Sequence, residues 1–141
     1  MKRSASALWN GDLKEGKGVV STASGVIKNS QYSFSTRFEN GIGTNPEELI
    51  AAAHASCYSM ACANEISKAG VVVESVETQC TVTFDKTDAG FTVTESHLQV
   101  TIKAKGADLA KLEKGANDAK TGCPISRLLN TKIILEAKYI N

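Results

Sequence analysis

Between Leu49 and Ala61 thirteen consecutive residues carry no Asp, Glu, Lys or Arg, and the residues just before them signal the start of a helix. Asn45 suits the N-cap, Pro46 the first helical position, and Glu47 and Glu48 put negative charge where the helix dipole favours it. The segment reads as one helix from Asn45 to about Ala69, with Gly70 to end it. A helix with small or apolar groups on nearly all sides has no face to give to water, so it is expected to be central and buried. That requirement limits the folds open to the chain more than any other feature does.

The segments on either side have to supply the cover. Short β-prone runs at Ala5–Trp9 and Gly18–Ala23 precede Gln31–Glu39, where Tyr32, Phe34, Thr36 and Phe38 alternate with Ser33, Ser35, Arg37 and Glu39. Period-two alternation predicts a strand with Arg37 opposite the aromatic face. Val71–Asp85 and Phe91–Ala104 read as two long strands joined by a loop that ends at Gly90. The apolar phase slips between Phe91/Val93 and Leu98/Val100/Ile102, which predicts a bulge or a change of covered face. Ala107–Thr121 has Leu109, Leu112, Ala116 and Ala119 on one side of a helix, Pro124 opens a short helix through Leu129, and Thr131–Ile140 closes the chain as a strand. Strands, a buried helix, then strands and helices make an α+β fold rather than a βαβ repeat. No linker or internal repeat divides the sequence, so residues 1–141 are expected to form a single domain.

Composition narrows the function. With 16 basic and 15 acidic residues and a formal net charge of +1, nothing resembles a phosphate-binding face, so nucleic acid is not an expected partner. No apolar run suits a membrane span or a targeting signal, which points to a soluble, cytoplasmic protein. In that compartment the four cysteines stay reduced. Their spacing includes no C-x-x-C pair or zinc-finger pattern, which leaves buried thiols or reactive ones.

A reactive cysteine has to be a thiolate, and an ordinary thiol is mostly protonated at neutral pH. Cys57 lies twelve residues past Asn45, too far along the helix for its N-terminus to help. It needs a cation, and Arg37, which keeps its proton and can hydrogen-bond an oxygen, is the candidate. Glu47 could orient that guanidinium, but it precedes Cys57 by ten residues, a rise of roughly 15 Å along one helix. Either the fold breaks there or the pair serves the thiol of a second subunit, and the second option implies a dimer. Glu47 also reads as an ordinary first-turn carboxylate. Cys123, before Pro124 at a helix start, is either a thiolate favoured by free N–H groups or a small residue at a helix corner. Cys62 points about 140° away from Cys57 around the helix and reads as packing, as does Cys80 on its strand. His54, one turn before Cys57, reads as a satisfied core histidine or as an activating base. His97 supports no role. A thiolate metal site of Cys57, Cys123 and His54 is a further reading, weaker than the others.

Thr36-Arg37-Phe38-Glu39, the run from Gly43-Thr44-Asn45-Pro46-Glu47-Glu48 through His54-Ala55-Ser56-Cys57, and Gly122-Cys123-Pro124-Ile125-Ser126 closely resemble the osmotically inducible protein C (OsmC) family. Trp9-Asn10-Gly11, Gly16-Lys17-Gly18 and Asp88-Ala89-Gly90-Phe91 extend the resemblance over the whole chain. The Thr36-Arg37-Phe38 segment is more similar to OsmC proper than to the sister organic hydroperoxide resistance group. The resemblance implies an OsmC-like fold, antiparallel sheets around a long central helix, in an intertwined homodimer with two active sites at the interface. It assigns Cys57 as the peroxidatic cysteine and Cys123 as the resolving one, with Glu47 holding Arg37 against thiolate and peroxide. The expected activity is a thiol peroxidase that reduces organic hydroperoxides, and hydrogen peroxide less well, in oxidative or osmotic stress defence. A dithiol such as a dihydrolipoyl group would restore the enzyme, and no metal, haem or flavin cofactor is expected. Leu49, Ile50, Phe38 and Met60 would favour alkyl or fatty-acid hydroperoxides. The competing class is a non-catalytic dimer that senses redox state or binds a hydrophobic ligand.

Overall fold

A computed structural model describes residues 1–141. They form two compact units, Met1–Leu49 and Ile50–Asn141, described here one at a time.

In the first unit, β1 (Ala5–Asn10), β2 (Lys17–Thr22) and β3 (Ser30–Ser33) make an antiparallel sheet in the order β1-β2-β3. The β1–β2 turn is pinned by Asp12, whose Oδ1 accepts from the N–H groups of Lys14 and Glu15 at 2.9 Å each, a local side-chain bond typical of Asp in turns. Trp9 and Tyr32 pack with ring centroids 5.4 Å apart. Gly18 lies beneath the Tyr32 ring, which a Cβ would meet at 2.5 Å, so no larger residue fits there.

The strand expected over Gln31–Glu39 stops at Ser33, and Phe34–Phe38 forms a short helix, α1. Two local interactions outweigh the period-two pattern. Ser33 and Thr36 form a capping box, with the Thr36 N–H donating to Ser33 Oγ at 3.3 Å and the Ser33 N–H to Thr36 Oγ1 at 2.9 Å. Phe34 and Phe38, four residues apart, stack at 4.6 Å, a contact that a helix makes and a strand does not. Arg37 is therefore not opposite the aromatic face, and its guanidinium carbon lies 5.6 Å from the centre of the Phe38 ring.

Helix α2 (Pro46–Lys68) begins in the first unit and continues into the second. Asn45 caps it as expected, with Oδ1 accepting from the Glu48 N–H at 2.8 Å. Beyond its end Gly70 takes the left-handed conformation at φ +77°, which glycine adopts without strain. The expected burial on nearly all sides is met only along one stripe of this chain: His54, Tyr58, Cys62 and Ile66 are buried, while Ala52, Ala53, Ser56 and Met60 are exposed. The four buried positions follow the i+4 repeat of a helix face.

The second unit has the sheet β4-β5-β6, formed by Ser75–Thr87, Gly90–Lys103 and Lys132–Ile140. β4 and β5 make the expected hairpin. The predicted slip is a bulge between Thr83 and Phe84, where the β5 partner jumps from Glu95 to Val93. The expectation of antiparallel sheets fails at β6, which pairs with β5 in parallel from Glu95↔Lys132 to Lys103↔Ile140. Helices α3 (Leu109–Gly122) and α4 (Pro124–Leu128) fill the connection, and they give it the length a parallel crossover needs. Leu112, Ala116 and Ala119 of α3 are buried, whereas Leu109 in its first turn remains 43% exposed. Gly115 lets α3 approach α2 closely, since a Cβ there would meet Ile66 Cγ1 at 2.5 Å. The Tyr58 hydroxyl donates to the Ala116 carbonyl at 3.0 Å. Around these contacts Leu98, Val100 and Ile102 of β5 complete a packed core.

Candidate active site

In the first unit the predicted charge pair is formed. Arg37 Nη2 lies 2.7 Å from Glu47 Oε1, and Nε donates to the same carboxylate at 3.1 and 3.2 Å. Such a two-pronged contact fixes the guanidinium plane as well as its position. Two neighbouring bonds hold the scaffold: the Asn45 side-chain amide donates to the Thr36 carbonyl at 3.0 Å, and Thr44 Oγ1 to Glu48 Oε2 at 2.8 Å. The N-cap residue of α2 therefore ties the helix carrying Glu47 to the one carrying Arg37. Beside the pair a cleft of about 290 Å³ is lined by Trp9, Leu13, Tyr32, Phe34, Phe38 and Arg37, among others. Its walls are mainly aromatic, with one cation among them. The sequence reading named only Phe38 of these apolar residues: Trp9, Leu13 and Tyr32 come from β1, the β1–β2 turn and β3, and Phe34 joins them because Phe34–Phe38 is a helix rather than the expected strand.

In the second unit Cys57, on α2, and Cys123, between α3 and α4, face each other closely enough for each to alter the acidity of the other. Burial pushes the Cys57 thiol above its ordinary range, the adjacent Cys123 adds to that, and the Ile125 N–H partly opposes it. Burial also acts against ionisation of Cys123. There it is outweighed by the N–H of Ser126, the neighbouring Cys57 thiol, the Ser126 hydroxyl and the N–H of Ile125, which together hold Cys123 below its ordinary value. Cys123 is the N-cap of α4 but makes no side-chain capping hydrogen bond, so the effect comes from the nearby N–H and hydroxyl dipoles. Of the two readings that the sequence left open for Cys123, an acidic thiol and a packed helix corner, the structure combines both: the residue is fully buried and the more acidic of the pair.

The other titratable groups have structural surroundings. Cys62 is buried in the core, and burial pushes its thiol up to about 11. His54 is fully buried, with Nδ1 2.7 Å from Ser96 Oγ and Nε2 2.8 Å from Ser126 Oγ. Both ring nitrogens are thus engaged, as expected of a satisfied core histidine. His54, Cys57 and Cys123 do not form a group able to hold a metal ion. Cys80, half-buried on β4, lies 3.3 Å from Ser96 Oγ. His97 has Glu136 Oε1 at 3.3 Å, a neighbour supplied by the parallel pairing of β5 with β6. The sequence reading missed Ser96 and quoted Ser126 only as part of the family motif, without a role; they lie 42 and 72 residues from His54.

The family model for OsmC-like protein matches residues 39–138. Over 130 residues the chain is 46% identical to Peroxiredoxin OsmC of Escherichia coli (strain K12), with 92% of this chain and 91% of that protein covered. The chain belongs to the OsmC-like family. It is 27% identical over 124 residues to Organic hydroperoxide resistance protein OhrB of Bacillus subtilis (strain 168), covering 86% of this chain and 89% of that one. The leaning of the sequence towards OsmC proper agrees with these two identities. Among solved structures, an OsmC-like protein from Vibrio cholerae superposes with a TM-score of 0.77 at 21% identity, covering 98% of this chain and 99% of that one. The crystal structure of OhrB from Bacillus subtilis does so with a TM-score of 0.70 at 23% identity, covering 96% and 98%. The two small sheets and their helices are the α+β fold of these OsmC-like structures. No helix is long and apolar enough to cross a membrane.

Proposed function

We propose that this protein is a thiol-dependent peroxidase for organic hydroperoxides, with Cys57 as the peroxidatic cysteine and Cys123 as the resolving one. The observation that carries the reading is the meeting of Cys57 and Cys123, brought from separate segments close enough for their side chains to hydrogen-bond. The names of the relatives, a peroxiredoxin and an organic hydroperoxide resistance protein, point to the same chemistry. The Cys57 thiolate attacks the peroxide oxygen, the O–O bond breaks, an alcohol leaves and a sulfenic acid remains. Cys123 then attacks the sulfenic sulfur, forming the disulfide and releasing water. A dithiol, such as a dihydrolipoyl group on a partner protein, returns both thiols.

Alone, Cys57 is held protonated by its burial, so the reading requires a cation beside it. We assign that part to Arg37, oriented by Glu47, and place the pair against the Cys57 of a second copy. Along the unbroken α2, Glu47 and Cys57 are separated by about 15 Å of helix rise, and the exposed side of α2 at Ala52, Ala53, Ser56 and Met60 suits a helix from another subunit. In this reading residues 1–141 act as one domain within an intertwined cytoplasmic homodimer. The aromatic cleft beside Arg37 favours alkyl or fatty-acid hydroperoxides over hydrogen peroxide.

The test is peptide mass spectrometry of the reduced protein after one equivalent of an organic hydroperoxide, with free thiols blocked before digestion. A Cys57–Cys123 crosslink that a dithiol reverses, with sustained turnover when the dithiol is in excess, is the expected result. Thiols that stay free, or a crosslink without turnover, would leave a sensing or binding protein instead.

A further inference from the structure

A line of hydrogen-bonded side chains, buried except for Cys80, runs to Ser126, three residues past Cys123. Cys80 Sγ is 3.3 Å from Ser96 Oγ, Ser96 Oγ is 2.7 Å from His54 Nδ1, and His54 Nε2 is 2.8 Å from Ser126 Oγ. Ser126 occupies the N3 position of α4 and Cys123 its N-cap, two positions that face each other in capping arrangements. His54, Ser96, Ser126 and Cys123 are all buried.

Taking the peroxidase reading as given, we propose that His54 is a positioning residue for Cys123: through Ser126 it aims a hydroxyl proton at the resolving sulfur and so governs the disulfide-forming step. The directions of the bonds follow from the donor inventory. If the Ser126 O–H points at a Cys123 thiolate, the Ser126 oxygen accepts from His54 Nε2–H. Nδ1 then carries no proton and accepts from Ser96, whose oxygen accepts from the Cys80 thiol. Every donor in the line points towards Cys123. Protonating Cys123 lets the line run the other way, with the His54 proton on Nδ1, so the tautomer of one imidazole is coupled to the state of one thiol. Only a neutral imidazole can both donate and accept, and burial lowers the basicity of His54 and keeps it neutral.

In the step concerned, the Cys123 thiolate attacks the sulfur of the Cys57 sulfenic acid. The S–S bond forms, the S–O bond breaks, and the departing hydroxide takes up the proton that Cys123 released, leaving as water. Attack of Cys57 on the peroxide does not involve the line, so the two steps separate kinetically. The titratable group acting on Cys123 is Cys57, beside it on α2, and Tyr58 of the same helix is near enough for Cys123 to help hold its hydroxyl protonated.

Two measurements on full-length protein test the proposal. The first is a titration of reduced protein labelled with 13Cβ cysteine, which follows each thiol separately and needs no peroxide. Ser126→Ala is expected to raise the Cys123 midpoint by about one pH unit, His54→Gln to raise it by less, and Ser126→Thr, which keeps a hydroxyl, to restore it. The second is a single turnover with one equivalent of hydroperoxide, quenched and analysed for sulfenic acid and disulfide. Ser126→Ala should slow disulfide formation about tenfold while sulfenic acid forms within twofold of the wild-type rate. An unmoved Cys123 midpoint in Ser126→Ala, or equal slowing of both steps, overturns the proposal. If His54→Gln fails to fold, His54→Asn takes its place, and a Cys123 midpoint unmoved in a folded His54 variant overturns the proposal as well. A wild-type protein that forms no Cys57–Cys123 disulfide sinks the peroxidase reading alone, because the titration still judges the role of His54.

Discussion

The two units of the chain are built on different terms. Every buried hydrophobic residue lies at or beyond Tyr58, in the second unit, where β5, α2 and α3 close a core of their own. In the first unit only Gly16, Gly18 and Thr36 are buried; β1 is exposed almost throughout, and β2 and β3 are mostly half-buried. Three strands with so little covered surface fall short of what an independent fold needs. The Arg37–Glu47 ion pair is nonetheless fully formed there. Charge is arranged on the thinly packed unit and the thiols on the densely packed one.

Four experiments would break or sharpen that contrast. The largest effect is expected from Cys57→Ser, which should reduce peroxide turnover to below about one hundredth while this near-isosteric change at a half-buried position costs stability only about 1 kcal/mol; steady-state kinetics and urea unfolding measure the two. Residual turnover above a tenth would move the chemistry away from the second unit. Next is Leu98→Ala, in the middle of β5, which should cost about 2–5 kcal/mol in denaturant unfolding. Leu8→Ala, on the exposed β1, should cost under about 0.5 kcal/mol. Equal costs would erase the difference in packing. Arg37→Ala should lower turnover about a hundredfold, the lower end of what one positioned donor supplies, while the Cys57–Cys123 disulfide still forms under a strong oxidant. Loss of that disulfide as well would mean that Arg37 holds up the structure rather than serving the reaction.

The smallest effect is in the pH dependence of stability. Burial holds His54 below its ordinary value of 6.5, so the unfolded chain binds a proton that the folded chain refuses. Stability should therefore fall as pH drops below about 6.5, by at most about 1.4 kcal/mol per pH unit from this group, and level off beneath the folded midpoint. Thermal unfolding between pH 7 and 5 checks this, and a His54→Gln protein that shows the same slope would assign the effect to other groups.

What the sequence revealed was mostly local. The N-cap at Asn45, the hairpin of β4 and β5 and the bulge at Phe84 are each written within a few residues, and the family motif singled out Arg37, Glu47, Cys57 and Cys123. The helix at Phe34–Phe38 was hidden because alternating aromatics satisfy a strand pattern while an i,i+4 aromatic pair and a Ser–Thr capping box favour a turn of helix. The parallel pairing of β6 depends on where a crossover returns, and periodicity does not encode that. The surroundings of His54 were out of reach for the same reason. Its partners come from β5 and α4, and nothing in the residues next to it announces either.

Cys123 lies within the crossover that brings the last strand alongside β5. The order in which the protein is made therefore matters to its chemistry. A growing chain exposes Cys57 on its helix well before Lys132–Ile140 has emerged to seat the crossover, and until that strand docks, nothing fixes one sulfur against the other. Only a finished chain holds Cys57 and Cys123 facing each other, so before the sheet closes neither thiol has a set neighbour.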